Sequence, residues 1–484
     1  MSIEYFDVII VGAGLSGIGA AYHLQTECPN QSYVILESRD SIGGTWDLFR
    51  YPGIRSDSDM HTLGYNFKPW REAKAIANGG SILKYVRETA TENDIERHVR
   101  YNLSVKKASW SSADAVWTIE AHHQDASVYF KCNFLLMCSG YYNYDRGYTP
   151  EFLGRDRFLG QIVHPQIWQE DLDYQDKQVI VIGSGATAVT LVPELAQDAA
   201  KVVMLQRSPT YIVSRPDEDK IANLLRKLLP EKLAYAIVRW KNINFQQFFY
   251  RRTRKEPEKI KNVLIKMVRE ELGDNYNVEQ HFTPNYNPWD RRLCLAPNGD
   301  LFKAIKSGKA EVVTDEIDTF TEKGILLKSG TELTADIIVT ATGLDLLVLG
   351  GVEFLVDGQP VEFSKTYTYK GIMYSDVPNL ISIFGYVNAS WTLRADLISE
   401  YVCRVIDYME QKNLRQCTPR LRDEDLNMPQ RPFIEEFSPG YIQRVLHLLP
   451  KQGDRLPWLN AQNYSQDIKN LRHDRIDDGV LTFN

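Results

Sequence analysis

Residues 6–17 of the chain read FDVIIVGAGLSG. The apolar run before the glycines is short and rich in β-branched residues, which predicts a buried parallel strand. Gly12, Gly14 and Gly17 permit a tight turn and let a pyrophosphate approach the N-terminus of the next helix. Glu37 ends a second apolar run, where a carboxylate accepts hydrogen bonds from ribose hydroxyls. These parts together predict a dinucleotide site rather than a purely structural turn.

A second stretch of the same type, residues 178–188, reads QVIVIGSGATA. Alanine takes the third glycine position, which the motif tolerates. The following strand ends in Arg207 and Ser208, whereas the first site has Glu37 there. A carboxylate repels a 2′-phosphate and an arginine binds it through two hydrogen bonds. We therefore expect FAD at the first site and NADPH, in preference to NADH, at the second. The residues expected to bind NADPH are Gly183, Ser184, Gly185, Thr187, Ala188, Arg207 and Ser208.

The length of 484 residues is too great for one ordinary domain. The two motifs predict an α/β fold with two Rossmann-like dinucleotide-binding domains, one for FAD and one for NADPH. We expect the first part of the FAD domain at 1–143 and the NADPH domain at 144–345. The second part of the FAD domain and a C-terminal surface segment are expected at 346–484. Leucines at helical spacing predict a helical insertion in the NADPH domain, at about 215–285.

Charge and cysteine usage argue against several classes of function. A net charge of -7 disfavours nucleic acid as a partner. None of the 6 cysteines forms a C-x-x-C pair or has zinc-like spacing, which predicts free thiols, a reducing compartment and no metal site. A flavin disulfide reductase would carry a close redox pair. The N-terminal apolar run is too short to span a membrane and follows no basic leader, so we expect a cytoplasmic protein without an integral membrane span.

One basic cluster allows two interpretations. Residues 251–255 read RRTRK, inside the predicted helical insertion. Such a cluster is typical of a solvated helix face. The alternative is weak association with a membrane surface.

Between the two glycine loops, residues 158–168 read FLGQIVHPQIW. The spacing of Phe158, Gly160, His164 and Trp168 resembles the fingerprint of Baeyer-Villiger monooxygenases, a family of class B flavoprotein monooxygenases. A single histidine is more often a structural hydrogen-bonding residue than a catalyst. The resemblance implies that His164 couples the two domains and influences NADPH oxidation, so we interpret it as a hinge or relay residue.

Residues 43–57 read GGTWDLFRYPGIRSD and are similar to the second fingerprint of that family. The glycine pair and the Pro-Gly step predict an ordered loop. For Trp46 alone, core packing would be the simpler interpretation. The resemblance implies that the loop covers the flavin and that Asp57 pairs with a catalytic arginine. Asn388 precedes a predicted helix whose N-terminus would face the flavin. The residues expected to bind FAD are Gly12, Gly14, Gly17, Glu37, Gly44, Thr45, Trp46, Asp57 and Asn388.

Residues 287–294 read NPWDRRLC and contain two adjacent arginines. Adjacent arginines are commonly surface or salt-bridge residues. The resemblance implies instead that Arg292 is catalytic and that Arg291 contacts the 2′-phosphate of NADPH. In this family a C4a-peroxyflavin attacks a ketone, and a permanent cation stabilises the charge that develops. Arginine stays protonated when buried, which suits this role.

Three functional hypotheses follow. The first is a Baeyer-Villiger monooxygenase that uses FAD, NADPH and dioxygen to convert ketones into esters or lactones. The stretches at 206–211, 286–290 and 388–393 resemble the ethionamide-activating subgroup, which implies oxidation of thioethers and thioamides as well. The second is a flavin monooxygenase acting mainly on sulfur or nitrogen, which would not need Arg292 with Asp57. The third, a non-catalytic flavin-binding protein or redox sensor, fits two intact cofactor motifs poorly.

Overall fold

The structure, a computed structural model, describes residues 3–124, 126–435, 437 and 439–484. Helices and strands alternate through much of this chain. The α-helices are α1 (Leu15–Glu27), α2 (Thr45–Leu48), α3 (Met60–Leu63), α4 (Gly79–Glu92), α5 (Ala186–Asp198), α6 (Lys220–Leu228), α7 (Glu231–Lys255), α8 (Pro257–Leu272), α9 (Val278–Phe282), α10 (Asp300–Lys306), α11 (Trp391–Lys412), α12 (Gly440–Val445) and α13 (Tyr464–Asp467).

The strands fall into groups before and after α5. The first group is β1 (Glu4–Val11), β2 (Tyr33–Leu36), β3 (Val99–Arg100), β4 (Ser104–Ser111), β5 (Val116–His123), β6 (Ala126–Met137), β7 (Tyr142–Gly147), β8 (Gln161–Val163) and β9 (Gln178–Ile182). The second is β10 (Lys201–Gln206), β11 (Ile212–Arg215), β12 (Cys294–Pro297), β13 (Ala310–Thr314), β14 (Ile317–Phe320), β15 (Gly324–Leu327), β16 (Glu332–Thr334), β17 (Ile337–Thr340), β18 (Leu344–Leu346), β19 (Glu353–Val356), β20 (Gln359–Pro360), β21 (Thr368–Tyr369), β22 (Met373–Tyr374), β23 (Leu380–Ser382), β24 (Cys417–Pro419), β25 (Arg431–Pro432), β26 (Lys451–Gln452) and β27 (Leu481–Phe483).

The first sheet is built around β1. This strand pairs in parallel with β2 on one side and β6 on the other. Its last four residues, 8–11, are buried because helices and strands cover both faces of the sheet. Strands β4, β5 and β6 form the antiparallel excursion that the alternating sequence predicts. The strand β23, far along the chain, also pairs in parallel with β6.

The second sheet is entirely parallel, with the strand order β13-β10-β9-β17-β8. Strand β9 lies at its centre and leads through the second glycine loop into α5. Each of the two sheets has a strand, a glycine loop and a helix at its centre. Together they are the predicted pair of Rossmann-like units.

The chain passes between the two sheets twice, through β7 and β18. These strands pair antiparallel with each other, Leu346 opposite Tyr142. After β18 the chain returns to the first sheet, where β19 pairs with β4. The predicted domain boundaries at 143 and 345 fall inside these two crossing strands.

Helices α6 to α9 lie between β11 and β12 of the second domain, but α7 packs on the first domain. The Tyr235 hydroxyl of α7 donates to the carbonyl of Tyr65 at 2.9 Å. Arg239 of α7 is buried and donates to the carbonyl of Gly64 at 2.7 Å. The insertion therefore braces the two domains against each other rather than extending one of them.

The predicted C-terminal surface segment is wrong in one respect, because much of it is buried. Trp458 and Leu471 have no exposed surface, and Leu481 of β27 is 1% exposed. Strand β27 pairs with β24 and brings the chain terminus back against the first domain. In this C-terminal segment the apolar residues are widely spaced among polar ones and do not recur at the period of a helix or a strand. The sequence therefore did not indicate that the segment is buried.

A buried polar cluster links three helices behind the first sheet. His23 of α1 lies 2.6 Å from a carboxylate oxygen of Glu27 and 3.7 Å from one of Asp396 in α11. Asp396 also pairs with Arg239 of α7, at 3.4 Å. Burial acts to lower the pKa of His23, but the two carboxylates outweigh it and raise this pKa to about 9.

This cluster predicts a pH-dependent contribution to stability. The contribution of His23 is complete below its unfolded pKa of about 6.5 and is lost as pH rises toward 9. Between pH 6.5 and pH 9 the free energy of unfolding of the wild type should therefore fall by about 3 kcal/mol relative to that of His23→Gln. Urea unfolding of both FAD-loaded proteins at several pH values measures the difference. Parallel curves for the two proteins would contradict the assigned cluster.

Candidate active site

One large cavity, about 1470 Å³, runs past both glycine loops. Gly12 and Gly14 line it from the first sheet, and Gly183 and Gly185 line it from the second. The carboxyl ends of the central strands β1 and β9 both point toward it, which is where ligands bind in open α/β sheets. The two predicted cofactor sites are thus parts of one space.

The first glycine loop leaves the N-terminus of α1 open to this cavity. Gly14 stands at the N-cap position, so no side chain satisfies the first N–H groups of the helix. A Cβ atom on Gly17 would lie 1.9 Å from the carbonyl oxygen of Gly12, so only glycine fits there. Glu37 is buried beside the loop and accepts the N–H of Ala13 at 2.7 Å. An anionic group can bind the helix end while Glu37 faces a neighbouring sugar.

The second glycine loop has the same construction. Gly185 stands at the N-cap position of α5 without a side-chain cap. Ala188, at the third glycine position, is fully buried in the helix and does not line the cavity. The hydroxyl of Ser184 donates to the carbonyl of Ser208 at 3.0 Å and so ties the loop to the end of β10. Thr187 lines the cavity beside the loop.

Two arginines line the cavity near the second loop. Arg207 follows β10 and is exposed. Arg291 lies with its guanidinium 4.6 Å from the ring centre of Tyr286, whose hydroxyl donates to the carbonyl of Pro209. Ser208 also lines the cavity. The structure therefore brings together both arginines that the sequence assigned to a 2′-phosphate.

The loop 43–57 folds over the first site. Gly44, Thr45 and Trp46 line the cavity. The loop is anchored by Asp47, which is 3% exposed and pairs with three arginines. These are Arg39 at 2.7 Å, Arg50 at 3.0 Å and Arg87 at 2.8 Å. The role of Asp47 was not predicted from the sequence. A carboxylate in a loop rich in aromatic residues could have indicated such an anchor.

Arg292 lines the same cavity as the two glycine loops. Its side chain is exposed to the open cavity, although protein atoms surround it on many sides. Burial acts to lower its pKa, but Tyr441, Tyr141, Tyr142 and Asp57 outweigh it and raise this pKa. Arg292 is therefore a permanent cation in the site.

Asp57 lines the same cavity, and burial raises its pKa to about 6 against the lowering effect of Arg292 and Arg55. Within the described chain, Asp57 and Arg292 influence each other through their charges but form no contact ion pair. The contact ion pair here is a different one: Arg55 binds Asp300 at 2.7 Å. The pairing expected for Asp57 thus appears as an electrostatic coupling.

The sequence analysis assigned no role to the tyrosines around Arg292. Tyr141 and Tyr142 stand at the start of the first crossing of the chain, and their hydroxyls are 3.1 Å apart. Tyr441 comes from α12, about 150 residues beyond Arg292 in sequence. Burial raises the pKa of Tyr142 to about 12 and that of Tyr441 as well. These hydroxyls therefore stay protonated and can donate hydrogen bonds beside the cation.

The four fingerprint residues lie outside the cavity lining. Phe158 is buried in the core under the second sheet, and a Cβ atom on Gly160 would lie 2.3 Å from the carbonyl oxygen of Asp336. Trp168 packs partly buried against the main core of the second domain. His164 packs against Gly147 of β7, where a Cβ atom would lie 1.9 Å from its ring. His164 is thus placed at the crossing between the domains rather than at the reaction site.

The role of Asn388 in binding FAD stays a prediction. The Asn388 side chain donates to the carbonyl of Gln462 at 3.0 Å, and it is not among the described residues that line the cavity. Ser390, at the N-cap position of α11, makes no side-chain cap because its hydroxyl meets that of Thr62. Trp391 does line the cavity, and its indole N–H donates to the Ser16 hydroxyl at 2.8 Å. Tertiary partners, which the sequence does not show, decide these contacts.

Two glycines give a matched test of the site. Gly185 has nothing within 4 Å of its Cβ position, so Gly185→Ala should fold and melt like wild type. The added methyl group would project into the cavity. It should weaken NADPH binding by about tenfold, because the pyrophosphate could no longer approach the backbone as closely. Gly17→Ala instead collides with the backbone and should lower thermal stability and the content of bound flavin. Unchanged NADPH affinity in Gly185→Ala, measured by calorimetry, would contradict the assigned loop.

Comparison with known proteins places the chain in a family. The sequence model of the family described as flavin-binding monooxygenase-like matches residues 7–412. The Mycobacterium tuberculosis protein named FAD-containing monooxygenase EthA is 54% identical over 481 residues, covering 99% of this chain and 98% of that protein. The Acinetobacter baylyi protein named probable FAD-binding monooxygenase AlmA is 46% identical over 484 residues, covering 99% and 96%.

Solved structures share the fold at lower identity. One described as oxidized steroid monooxygenase bound to NADP has a TM-score of 0.74 at 23% identity and covers 87% of this chain and 88% of its own. Cyclohexanone monooxygenase from Rhodococcus sp. Phi1, bound to NADP+, has a TM-score of 0.70 at 20% identity and covers 87% of each chain. The resemblance read from the sequence motifs is thereby confirmed, and the chain belongs to the flavin-binding monooxygenase-like family.

Proposed function

We propose that this protein is an FAD- and NADPH-dependent Baeyer-Villiger monooxygenase. It inserts one oxygen atom of dioxygen beside a ketone carbonyl to give an ester or lactone, and it also oxidises thioethers and thioamides. The observation that carries the proposal is Arg292, a permanent cation that lines the cavity shared by the two glycine loops. Among solved structures of the same fold, one is described as a complex with FAD and NADP, and another is described as cyclohexanone monooxygenase bound to NADP+.

The first loop fits FAD. The uncapped N-terminus of α1 suits a pyrophosphate, and Gly17 lets the helix approach the loop closely. The carboxylate of Glu37 accepts the N–H groups of Ala13 and Arg39, one on each oxygen, and each oxygen keeps a lone pair for a ribose hydroxyl. Trp46 and Thr45 would lie along the cofactor. A carboxylate at this place disfavours a 2′-phosphate, so the first site selects against NADPH.

The second loop fits NADPH. The uncapped N-terminus of α5 repeats the pyrophosphate site. Arg207 follows β10 as Glu37 follows β2, and Arg291 adds a second positive charge to the cavity lining. Guanidinium groups bind a phosphate through paired, charge-assisted hydrogen bonds. The difference between the two loops therefore supports FAD at the first and NADPH at the second.

The chemistry divides between cofactor and protein. FAD, once reduced by NADPH, supplies the activated oxygen. Arg292 binds the carbonyl oxygen of the ketone and stabilises the negative charge that develops on it. Asp57, ionised above its pKa of about 6, attracts the guanidinium electrostatically without forming a contact ion pair with it. Tyr141 and Tyr142 keep their protons and donate hydrogen bonds from the cavity wall.

The second candidate is a flavin monooxygenase that acts mainly on sulfur or nitrogen nucleophiles. One observation favours it: Asp57 forms no contact ion pair with Arg292. An arginine less tightly fixed could serve in cofactor binding alone. Relatives named only FAD-containing monooxygenases are compatible with either reaction.

Product analysis distinguishes the two candidates. Purified FAD-loaded protein is given NADPH, dioxygen and a panel of aliphatic ketones, with one thioether beside them. Ester from any ketone supports the Baeyer-Villiger reaction. Sulfoxide with no ester from the whole panel would contradict it and favour the second candidate.

The two arginines predict the choice of nicotinamide cofactor. Arg207→Ala should lower kcat/KM for NADPH by roughly 10- to 100-fold, the value of a charged hydrogen bond, and leave NADH unchanged. Initial rates with each cofactor give the ratio. Lys201→Ala is the matched control, since it removes a positive charge from the other end of β10, where Lys201 pairs with Glu311. An equal loss with both cofactors would contradict the role of Arg207.

A further inference from the structure

The helical insertion exposes an unusual concentration of large apolar side chains. Eighteen such side chains are exposed in the described chain, and 8 of them fall between residues 221 and 248, on only two helices. We call these eight the docking face. They are Ile221, Leu224 and Leu228 of α6, and Leu233, Ile237, Trp240, Phe245 and Phe248 of α7. Leu228 and Trp240 are each 68% exposed.

The spacing of these residues shows that they form helix faces. Ile221, Leu224 and Leu228 recur every three or four residues along α6, as do Leu233, Ile237 and Trp240 along α7. The opposite face of α7 is already buried against the first domain, through residues such as Tyr235 and Val238. A helix that is apolar on two sides and buries only one presents the other to a partner.

The charged side chains on the two helices of the docking face are mostly basic. Residues 220–255 contain 10 basic residues and 1 acidic residue, although three acidic residues, 217–219, come directly before them and the whole chain has a net charge of -7. The one acid, Glu231, is paired with Arg71 at 2.7 Å. Lys220, Lys227 and Lys232 are exposed and form no ion pair within the part of the chain that the structure describes. The partner of this surface is therefore expected to be anionic as well as apolar.

We propose that the docking face binds an anionic lipid bilayer, with α6 and α7 lying in the plane of its surface. Amphipathic helices of this kind carry apolar and aromatic side chains on one side and lysine and arginine around them. Tryptophan is favoured at the depth of the headgroups. Among the described residues no helix is long and apolar enough to cross a membrane, so the contact is with one leaflet.

A second copy of the chain fits this surface less well. Most homodimers use one patch twice, so a symmetric interface here would bring the two basic segments face to face. Like charges opposed in this way cost affinity. An anionic bilayer instead matches both the apolar stripe and the lysines.

Helix α7, which carries most of the docking face, also contacts the loop that contains the candidate catalytic arginine. Arg254, near the end of α7, pairs at 2.8 Å with Asp290, two residues before Arg292. The basic cluster 251–255 is thus partly a structural contact, and the membrane contact belongs to the helix faces before it. The inference concerns the surface alone and holds for either proposed reaction.

Vesicle flotation tests the proposal with the full FAD-loaded chain. Vesicles of phosphatidylcholine alone are compared with vesicles that also contain phosphatidylglycerol. The protein should float with the anionic vesicles, and high salt should weaken the contact by screening the lysines. The double variant Trp240→Ser, Phe248→Ser should bind at least about tenfold more weakly, because two aromatic rings no longer enter the bilayer surface.

The matched control is Leu159→Ser, which removes a side chain that is 81% exposed but lies outside the docking face. It should bind vesicles like wild type. The content of bound FAD and the melting temperature, equal in all variants, show that each is folded. The charge variant Lys227→Glu, Lys232→Glu should lose binding to anionic vesicles.

Three results would overturn the proposal. The first is wild-type protein that floats with neither kind of vesicle. The second is a double variant that binds like wild type. The third is a double variant that changes from oligomer to monomer in gel filtration while wild type ignores vesicles, which would make the face an interface between copies. Brominated lipids give an independent check, since they should quench tryptophan fluorescence in wild type and less in Trp240→Phe.

Discussion

The double crossing of the chain at β7 and β18 is the constraint on which the rest of the structure depends. Two Rossmann-like units share one cavity only because both crossing strands run between them and pair with each other. The packing there is tight, since His164 fills the place where a side chain on Gly147 would lie. The same crossing delivers Tyr141 and Tyr142 into the cavity wall. A residue far from the chemistry, such as His164, can therefore influence it by fixing the angle between the two loops.

The electrostatics of the cavity follow from this arrangement. Each glycine loop offers an uncapped helix N-terminus, which favours negative charge. Arg292 adds a full positive charge to the same cavity, and the nearby carboxylate of Asp57 is not in contact with it. A cation that is oriented but not neutralised can stabilise a negative charge that develops in the reaction. Asp47, with its three arginines, and Arg55, with Asp300, hold the surrounding loop without using Arg292.

The features that the sequence predicted are those that local chemistry determines. A strand, a glycine loop and a helix are contiguous, so the two cofactor loops and the contrast between Glu37 and Arg207 could be read directly. The ring of tyrosines could not, because Tyr441 reaches Arg292 only through the packing of α12. The hydrogen-bond partner of Asn388 could not be read either, because the carbonyl of Gln462, which accepts from its amide, is distant in sequence. The exposed face of α7 was also hidden, since its period is the same as that of the buried face.

The most direct test of the central claim is the product profile of Arg292→Ala. The variant is loaded with FAD, and its NADPH consumption, ester from a ketone and sulfoxide from a thioether are measured side by side with wild type. Removal of one preorganised donor to a developing oxyanion costs roughly 10²–10³ in rate. We expect ester formation to fall by about this factor and sulfoxide formation to fall much less. Ester formation at the wild-type rate would contradict the role proposed for Arg292, because this cation would then have no part in the reaction.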